Sequence, residues 1–218
     1  HIEGLILTKI FLDTSKLEEI EQAKEFGIID GCTTNPKILA NEGVESFDEQ
    51  MKRILDLVEG PVSIEVTSND KEEMIKQARE FDSWGSNAVV KLPMNKEGLE
   101  ATRVVSEEDI DVNVTACMAP NQVLLAAKAG ATYASIFMGR VGDMGYDAEK
   151  VIEDSVKLLE DYQTELIIGS IRKAFDVQRA FLAGAHIVTV PPKYVEQLIY
   201  NPRTDSSIDE FLESWENQ

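Results

Sequence analysis

The chain has 218 residues, 40 acidic against 21 basic, for a formal net charge of −19 at pH 7, with 43% hydrophobic and 28% charged residues. A surface this acidic repels phosphate backbones and anionic lipid, which argues against nucleic-acid and membrane-surface roles, and the apolar content is too high for a disordered chain. No run approaches the ~18 consecutive apolar residues of a membrane span, and the two cysteines, Cys32 and Cys117, fit neither a disulfide framework nor a zinc pattern, which points to a reducing, cytoplasmic compartment.

Residues 1–7 read as an expression remnant or a disordered lead-in, and residues 8–218 as one domain. From there short runs rich in Val, Ile and Thr alternate with amphipathic stretches. TKIFLD (8–13) is followed by KLEEIEQAKEFG, IIDGCTTN (28–35) by SFDEQMKRILDLVEG, and VSIEVTS (62–68) by KEEMIKQAREF. AVVKLPM (88–94) and DVNVTACM (111–118) come next, then NQVLLAAKAG, YASIFM (133–138), AEKVIEDSVKLLEDY, TELIIGS (164–170), VQRAFLAG and HIVTVP (186–191). Gly27, Gly60, Gly130 and Gly184 close helical stretches, as expected where a chain leaves a helix through a left-handed residue. The glycines of MGRVGDMG (138–145) match no dinucleotide fingerprint and read as a flexible loop.

Strands joined through helices require parallel pairing. Eight even units of roughly 25 residues, without a Gly-rich phosphate motif, favour a closed (β/α)8 TIM barrel over an open doubly wound sheet. The tail SSIDEFLESWEN (206–217) reads as an extra C-terminal helix. Its Ile208, Phe211, Leu212 and Trp215 share one face, suited to covering the barrel or packing on a neighbouring subunit.

Barrel enzymes gather their chemistry at the C-terminal ends of strands. Here those ends carry Asp13, Thr33, Asn35, Glu65, Lys91, Thr115, Ser135, Arg140, Ser170 and Arg172. Lys91 interrupts an apolar strand on the same side as Val89. A barrel-facing amine has little water to reach, and burial works against its charged form, whereas carbonyl condensation needs a neutral amine. The competing reading is an outward lysine reaching solvent; strand parity favours the interior. Asp13 suits proton transfer beside such a lysine, or else a helix N-cap. Glu65 would pair with Lys91, because an unpaired buried carboxylate is costly.

Of seven arginines, Arg53, Arg79, Arg103 and Arg179 fall in helical patterns and Arg203 in the tail. Arg140 and Arg172 instead follow strands six and seven, where two guanidiniums would converge on a tetrahedral anion. His186 reads as structural, both cysteines as small buried hydrophobes, and the Asn113-Val-Thr115 glycosylation pattern as chance. With only two histidines, no metal site with ligand spacing is found.

Taken in order, IFLDTS, DGCTTNP, NAVVKLPM, NVTACM, LLAAKAGATYAS and GSIR resemble the small transaldolase and fructose-6-phosphate aldolase family from about Lys9 to Trp215. The resemblance implies a (β/α)8 barrel, class I Schiff-base chemistry without metal or other cofactor, and homo-oligomeric pentamer-based rings, often decamers. It places the Schiff-base lysine on Lys91 and the acid/base aspartate on Asp13. A water held by Glu65 and Thr115 would relay protons. Substrate hydroxyls would meet Thr33, Asn35 and Ser135, and the tail anion Arg140, Ser170 and Arg172. The aldolase branch typically has glutamine and tyrosine where this chain has Glu65 and Phe137, the transaldolase-like pair.

The implied activity is transfer of a dihydroxyacetone unit from an anionic ketose, fructose 6-phosphate-like, to an aldehyde such as glyceraldehyde 3-phosphate or erythrose 4-phosphate. Family members usually show TLVFS, SPFVGR and a His-Pro or Asn-Pro after SIR. This chain has Thr115-Ala116-Cys117-Met118-Ala119, Ser135-Ile136-Phe137-Met138-Gly139-Arg140 and Lys173-Ala174-Phe175 instead. These departures surround the anion end, so a sulfonate-tailed sugar (6-deoxy-6-sulfofructose) is a second substrate reading. A fructose-6-phosphate aldolase and a non-catalytic ring-forming scaffold are further alternatives; the scaffold's signature, loss of Lys91 or Asp13, is absent.

Overall fold

In a computed structural model, residues 8–34 and 46–216 are described. The lead-in 1–7 and Asn35 lie outside them. Eight parallel strands close on themselves in sequence order: β1 (Lys9–Asp13), β2 (Gly31–Thr33), β3 (Val62–Glu65), β4 (Ala88–Pro93), β5 (Val112–Cys117), β6 (Tyr133–Phe137), β7 (Glu165–Gly169) and β8 (Ile187–Val190). β8 returns to pair with β1 through Lys9↔Ile187 to Leu12↔Val190. Around them run α1 (Leu17–Glu25), α2 (Phe47–Leu57), α3 (Lys71–Asp82), α4 (Lys96–Ser106), α5 (Pro120–Lys128), α6 (Met138–Asp143), α7 (Ala148–Leu159), α8 (Ala174–Leu182), α9 (Pro192–Ile199) and α10 (Pro202–Glu216). The architecture is a (β/α)8 barrel with a C-terminal helix.

Local chemistry sets the helix starts. Asp70, Asn95 and Asp147 each accept a hydrogen bond from the backbone N–H three residues on, at 3.0, 2.7 and 3.1 Å, which satisfies a donor that a helix N-terminus leaves unpaired. Gly27, Gly130 and Gly184 take φ of 66°, 96° and 95°, the expected left-handed exits. Gly60 corrects the pattern. α2 ends at Leu57, and Gly60 is needed for close approach instead, since a Cβ there would stand 1.8 Å from the Asp30 carbonyl oxygen. MGRVGD is also a short helix rather than a loop, anchored by buried Met138 and Val141. Packing there overrides the low helix propensity of its two glycines.

Hydrogen bonds between strands that are not neighbours reveal which side chains face inward. Lys9 on β1 reaches Glu165 on β7, Thr33 on β2 meets Thr189 on β8, and Asn113 on β5 donates to Ser63 on β3. Period-2 alternation then puts Val89 and Lys91 of β4 inside, as the sequence pattern predicts. The lower barrel is filled by Phe11, Val89, Tyr133, Ile167 and Ile187, a buried cluster separate from the larger core between strands and helices. In α10 nothing is buried: Ile208, Phe211, Leu212 and Trp215 are 49%, 70%, 59% and 76% exposed, so the stripe does not cover this chain's barrel.

Candidate active site

At the C-terminal mouth of the barrel a cavity of about 150 Å³ is lined by seven of the predicted site residues: Asp13, Thr33, Lys91, Ser135, Phe137, Arg140 and Ser170. Gly169 and Thr189 complete the wall. Strands β1, β2, β4, β6, β7 and β8 contribute to it, whereas Glu65 and Thr115 do not line it; β3–β4 pairing sets Glu65 opposite Lys91, at the edge of a separate cleft with Pro93.

Lys91 is 6% exposed, and its Nζ lies 3.1 Å from the Thr34 carbonyl oxygen and 3.3 Å from Glu65 Oε2. Asp13 does not cap α1, whose first turn follows Lys16 without a side-chain cap. Its Oδ1 accepts from Thr33 Oγ1 at 2.9 Å. Asp13 is part-exposed on the cavity wall, and burial there pushes the pKa of its carboxyl up. Lys91 and the Thr33 hydroxyl pull it back, and Glu65 adds to the rise. A carboxyl so placed is suited to take up and return a proton.

Thr115 stands two residues beyond Asn113 on the same face of β5, and its Oγ1 is buried without a hydrogen-bond partner among the described residues. An orphaned buried hydroxyl beside a lysine–carboxylate pair is a place for a bound water. Ser135 Oγ donates to Asn113 Oδ1 at 2.7 Å, and Asn113 Nδ2 donates to Ser63 Oγ at 3.1 Å. Ser135 has spent its proton and offers the cavity only acceptor capacity, which selects a substrate hydroxyl. The backbone at the mouth is strained where strands give way to loops. Ala116, beside an irregularity in the β5–β6 register, and Ser170 hold φ of 63° and 59°, a region costly for residues with a Cβ and typical of functional sites.

The two arginines line different cavities. Arg140 is exposed at the cavity wall with its guanidinium carbon 5.0 Å from the Phe137 ring centroid. Arg172 lines a neighbouring charged cleft, where it pairs with Asp143 through both terminal guanidinium nitrogens, Nη1 to Oδ1 at 2.7 Å. Arg79, paired with Glu108, and Arg203, paired with Glu210, are exposed charge as expected, but Arg179 is part-buried and pairs with Glu149 and the buried Asp176.

Ser63, Asn113 and Thr189 were missed by sequence reasoning. Asn113 is fully buried inside the barrel, which also rules out its use as a glycosylation acceptor. Its spacing of two from Thr115 in the same strand was the available signal. Cys32 and Cys117 are buried and free, with burial pushing both thiols to about 12. His186 accepts the Leu166 backbone N–H on Nδ1 at 2.9 Å, a structural task. Among the described residues no group of three or more His, Cys, Asp or Glu side chains is placed to hold a metal ion, and no helix is long and apolar enough to cross a membrane.

A closed barrel with a buried lysine, a carboxyl on the same cavity wall and inward hydroxyls at its strand ends defines a (β/α)8 enzyme scaffold. Residues 10–218 match the family described as Transaldolase/Fructose-6-phosphate aldolase, and the chain belongs to that family. Relatives named probable transaldolase include one from Thermoanaerobacter sp. (strain X514), 46% identical over 95% of this chain and 96% of the relative. Another, from Aquifex aeolicus, is 46% identical over the same shares. That from Thermoplasma volcanium is 43% identical over 95% of both chains. Among solved structures, a mandelate oxidase mutant with a monooxide FMN adduct superposes with a TM-score of 0.59 at 16% identity, over 87% of this chain and 65% of that one. That likeness concerns the fold alone.

Proposed function

We propose that the chain is a Schiff-base transaldolase that moves a dihydroxyacetone unit from a fructose 6-phosphate-like ketose to an aldehyde such as glyceraldehyde 3-phosphate or erythrose 4-phosphate. The observation that carries this reading is Lys91: a buried amine, loosely held by one carboxylate oxygen and one carbonyl, on the wall of the same cavity as Asp13. In the proposed cycle Lys91 passes a proton to Glu65 and its lone pair attacks the ketone carbon. Water leaves the adduct, with Glu65 and the unpaired Thr115 hydroxyl holding that water as protons are relayed. Asp13 then takes the proton from the hydroxyl beyond the bond to be broken. The bond's electron pair moves toward the Schiff-base nitrogen, an aldehyde departs and an enamine stays on Lys91. Addition to the acceptor aldehyde reverses these steps, with Asp13 returning its proton.

Ser135, as an acceptor, receives a hydroxyl of the donor, and Thr33 lies beside Asp13 for the same purpose; Asn35 belongs to the proposal but lies outside the described residues. Arg140 and Ser170 receive the tail anion. The Arg172–Asp143 pair favours a second reading of the tail: with one guanidinium already neutralised, a singly charged sulfonate is better matched than a doubly charged phosphate. We further infer a homo-oligomer, supported by the uncovered stripe of α10, and a cytoplasmic location, in keeping with two free buried cysteines.

Incubation with fructose 6-phosphate and borohydride, followed by peptide mass analysis, tests the reading. A reduced three-carbon adduct on Lys91 is expected. Its absence, with both phosphate- and sulfonate-tailed ketoses, would leave the non-catalytic scaffold as the better account.

A further inference from the structure

Thr33 has a single hydroxyl proton, and it is committed to Asp13 Oδ1 at 2.9 Å. The second contact of Thr33 Oγ1, 2.5 Å to Thr189 Oγ1, therefore has Thr189 as donor while Asp13 is ionised. Thr189 stands on β8 and Thr33 on β2, the two strands that flank β1 and Asp13. Thr189 is 5% exposed, with its methyl on the side of Gly169 of β7 and its hydroxyl on Thr33. The result is a directed chain, Thr189 to Thr33 to Asp13, ending on the carboxylate.

We propose that Thr189 is a positioning residue for the reaction: by donating into Thr33 it commits the Thr33 proton to Asp13 and holds that carboxylate as the base that deprotonates the substrate hydroxyl. The proposal rests on the aldol reading above. Without the Thr189 hydroxyl, Thr33 Oγ1 loses its donor, its own proton is free to turn elsewhere, and the anionic form of Asp13 loses support. Among the described residues the other groups acting on Asp13 are Lys91 from β4, which favours the anion, and Glu65 from β3, which opposes it. Cys32 from β2 stays neutral with its thiol at about 12, and Arg140 from α6 shares the cavity. Substituting Thr189 leaves all four in place.

The test is the pH dependence of kcat/KM for ketose cleavage in wild type, Thr189→Ala, Thr189→Val and Thr189→Ser, with borohydride trapping on each. Asp13 acts as a base in this direction, so the rate falls as pH drops through its titration. In Thr189→Ala and Thr189→Val that acidic limb should move up by roughly 0.5–1 pH unit, and kcat/KM on the plateau should fall roughly 2- to 12-fold, the size of one neutral hydrogen bond. Thr189→Ser keeps the donor and should return the limb to its wild-type position. The two truncations differ in shape, so a packing defect in one does not decide the matter. An unmoved limb in both, or an equal shift in the serine variant, overturns the role of Thr189 while the Lys91 adduct still forms. Loss of the adduct in wild type would instead bring down the aldol reading, and this proposal with it.

Discussion

The barrel carries a lysine–glutamate pair at each end. At the bottom, Lys9 Nζ donates to both carboxylate oxygens of Glu165 at 2.9 and 2.8 Å, with the side chains 37% and 25% exposed. At the mouth, Lys91 touches a single oxygen of Glu65 at 3.3 Å, with the side chains 7% and 29% exposed. The bottom pair is short, two-pronged and shared with solvent, and nearby groups are satisfied: His186 has its donor, and Phe11 meets Tyr133 edge-on at 6.4 Å. At the mouth the lysine is dry and loosely held, Thr115 has a hydroxyl with no partner among the described residues, and two non-glycine residues hold left-handed backbone. That hydroxyl and two of the three described left-handed non-glycine residues lie at the mouth, the third, Asp109, preceding β5 at the other end, so the same two residue types clamp below and are free to exchange partners above.

The largest separation between the two ends comes from removing each lysine. Lys91→Ala should abolish borohydride trapping and lower turnover by roughly a thousandfold or more. Lys9→Ala should leave the Lys91 adduct intact and appear mainly as a lower melting temperature. Trapping and thermal denaturation of both variants check this; a Lys91→Ala variant with near-normal turnover would falsify the Schiff-base proposal.

Next in size is the anion end. Arg140→Ala should raise KM for anionic ketoses, with kcat/KM falling roughly 10- to 150-fold, the worth of a charge-assisted hydrogen bond. Free dihydroxyacetone should be spared. Arg172→Ala should cost less, roughly fivefold at most, because its guanidinium is engaged by Asp143 in a half-exposed pair. Asp143→Asn would release Arg172 and should improve phosphate-tailed donors more than sulfonate-tailed ones. If Arg172→Ala proves the more damaging of the two, the pairing with Asp143 is not the state that meets substrate.

Phe137 should divide transfer from release of free dihydroxyacetone. Its ring presents no donor to a water near Lys91, and water-excluding walls protect reactive intermediates. Phe137→Tyr keeps the ring under Arg140 and adds a hydroxyl that will seek a partner. Release should rise and transfer fall, measured with and without acceptor aldehyde, while Phe137→Leu should not raise release.

Much of this contrast could be read in the sequence, because period-2 alternation fixes which face a strand residue takes. Lys91 is assigned to the interior by parity with Val89 alone, and the element order follows from the alternating pattern. What sequence could not supply is closure. Thr189 meets Thr33 across 156 positions of chain, and no local pattern links them. Counting cations near strand ends found Arg172 but not the Asp143 that holds it. Gly60 looked like a helix exit because spacing cannot tell a left-handed turn from a close approach to a carbonyl. β2 begins at Gly31 although the apolar run starts at Ile28, since Ile28 is 39% exposed and belongs to the approaching loop.

The smallest effect concerns the bottom of the barrel and pH. Burial lowers the pKa of His186 below its ordinary 6.5; Glu165 works the other way, and Lys9 adds to the lowering. Its Nδ1 accepts the Leu166 N–H, which only an unprotonated nitrogen can do. Because the folded value is the lower one, the unfolded chain takes up the proton first as pH falls. The contribution to stability is therefore full above about 6.5 and is lost as pH drops from there toward the folded value. Raw melting curves would blur this, because protonating the many carboxylates of so acidic a chain relieves repulsion over the same acid range. His186→Asn separates the two, since an amide oxygen can still accept from Leu166 and does not titrate. The melting-temperature difference between wild type and His186→Asn should be steady above pH 7 and then move against wild type by pH 5.5, by no more than roughly 3 °C for a half-exposed ring. A difference that stays flat across that range would mean the imidazole takes up its proton equally in both states and the Leu166 contact is not coupled to titration.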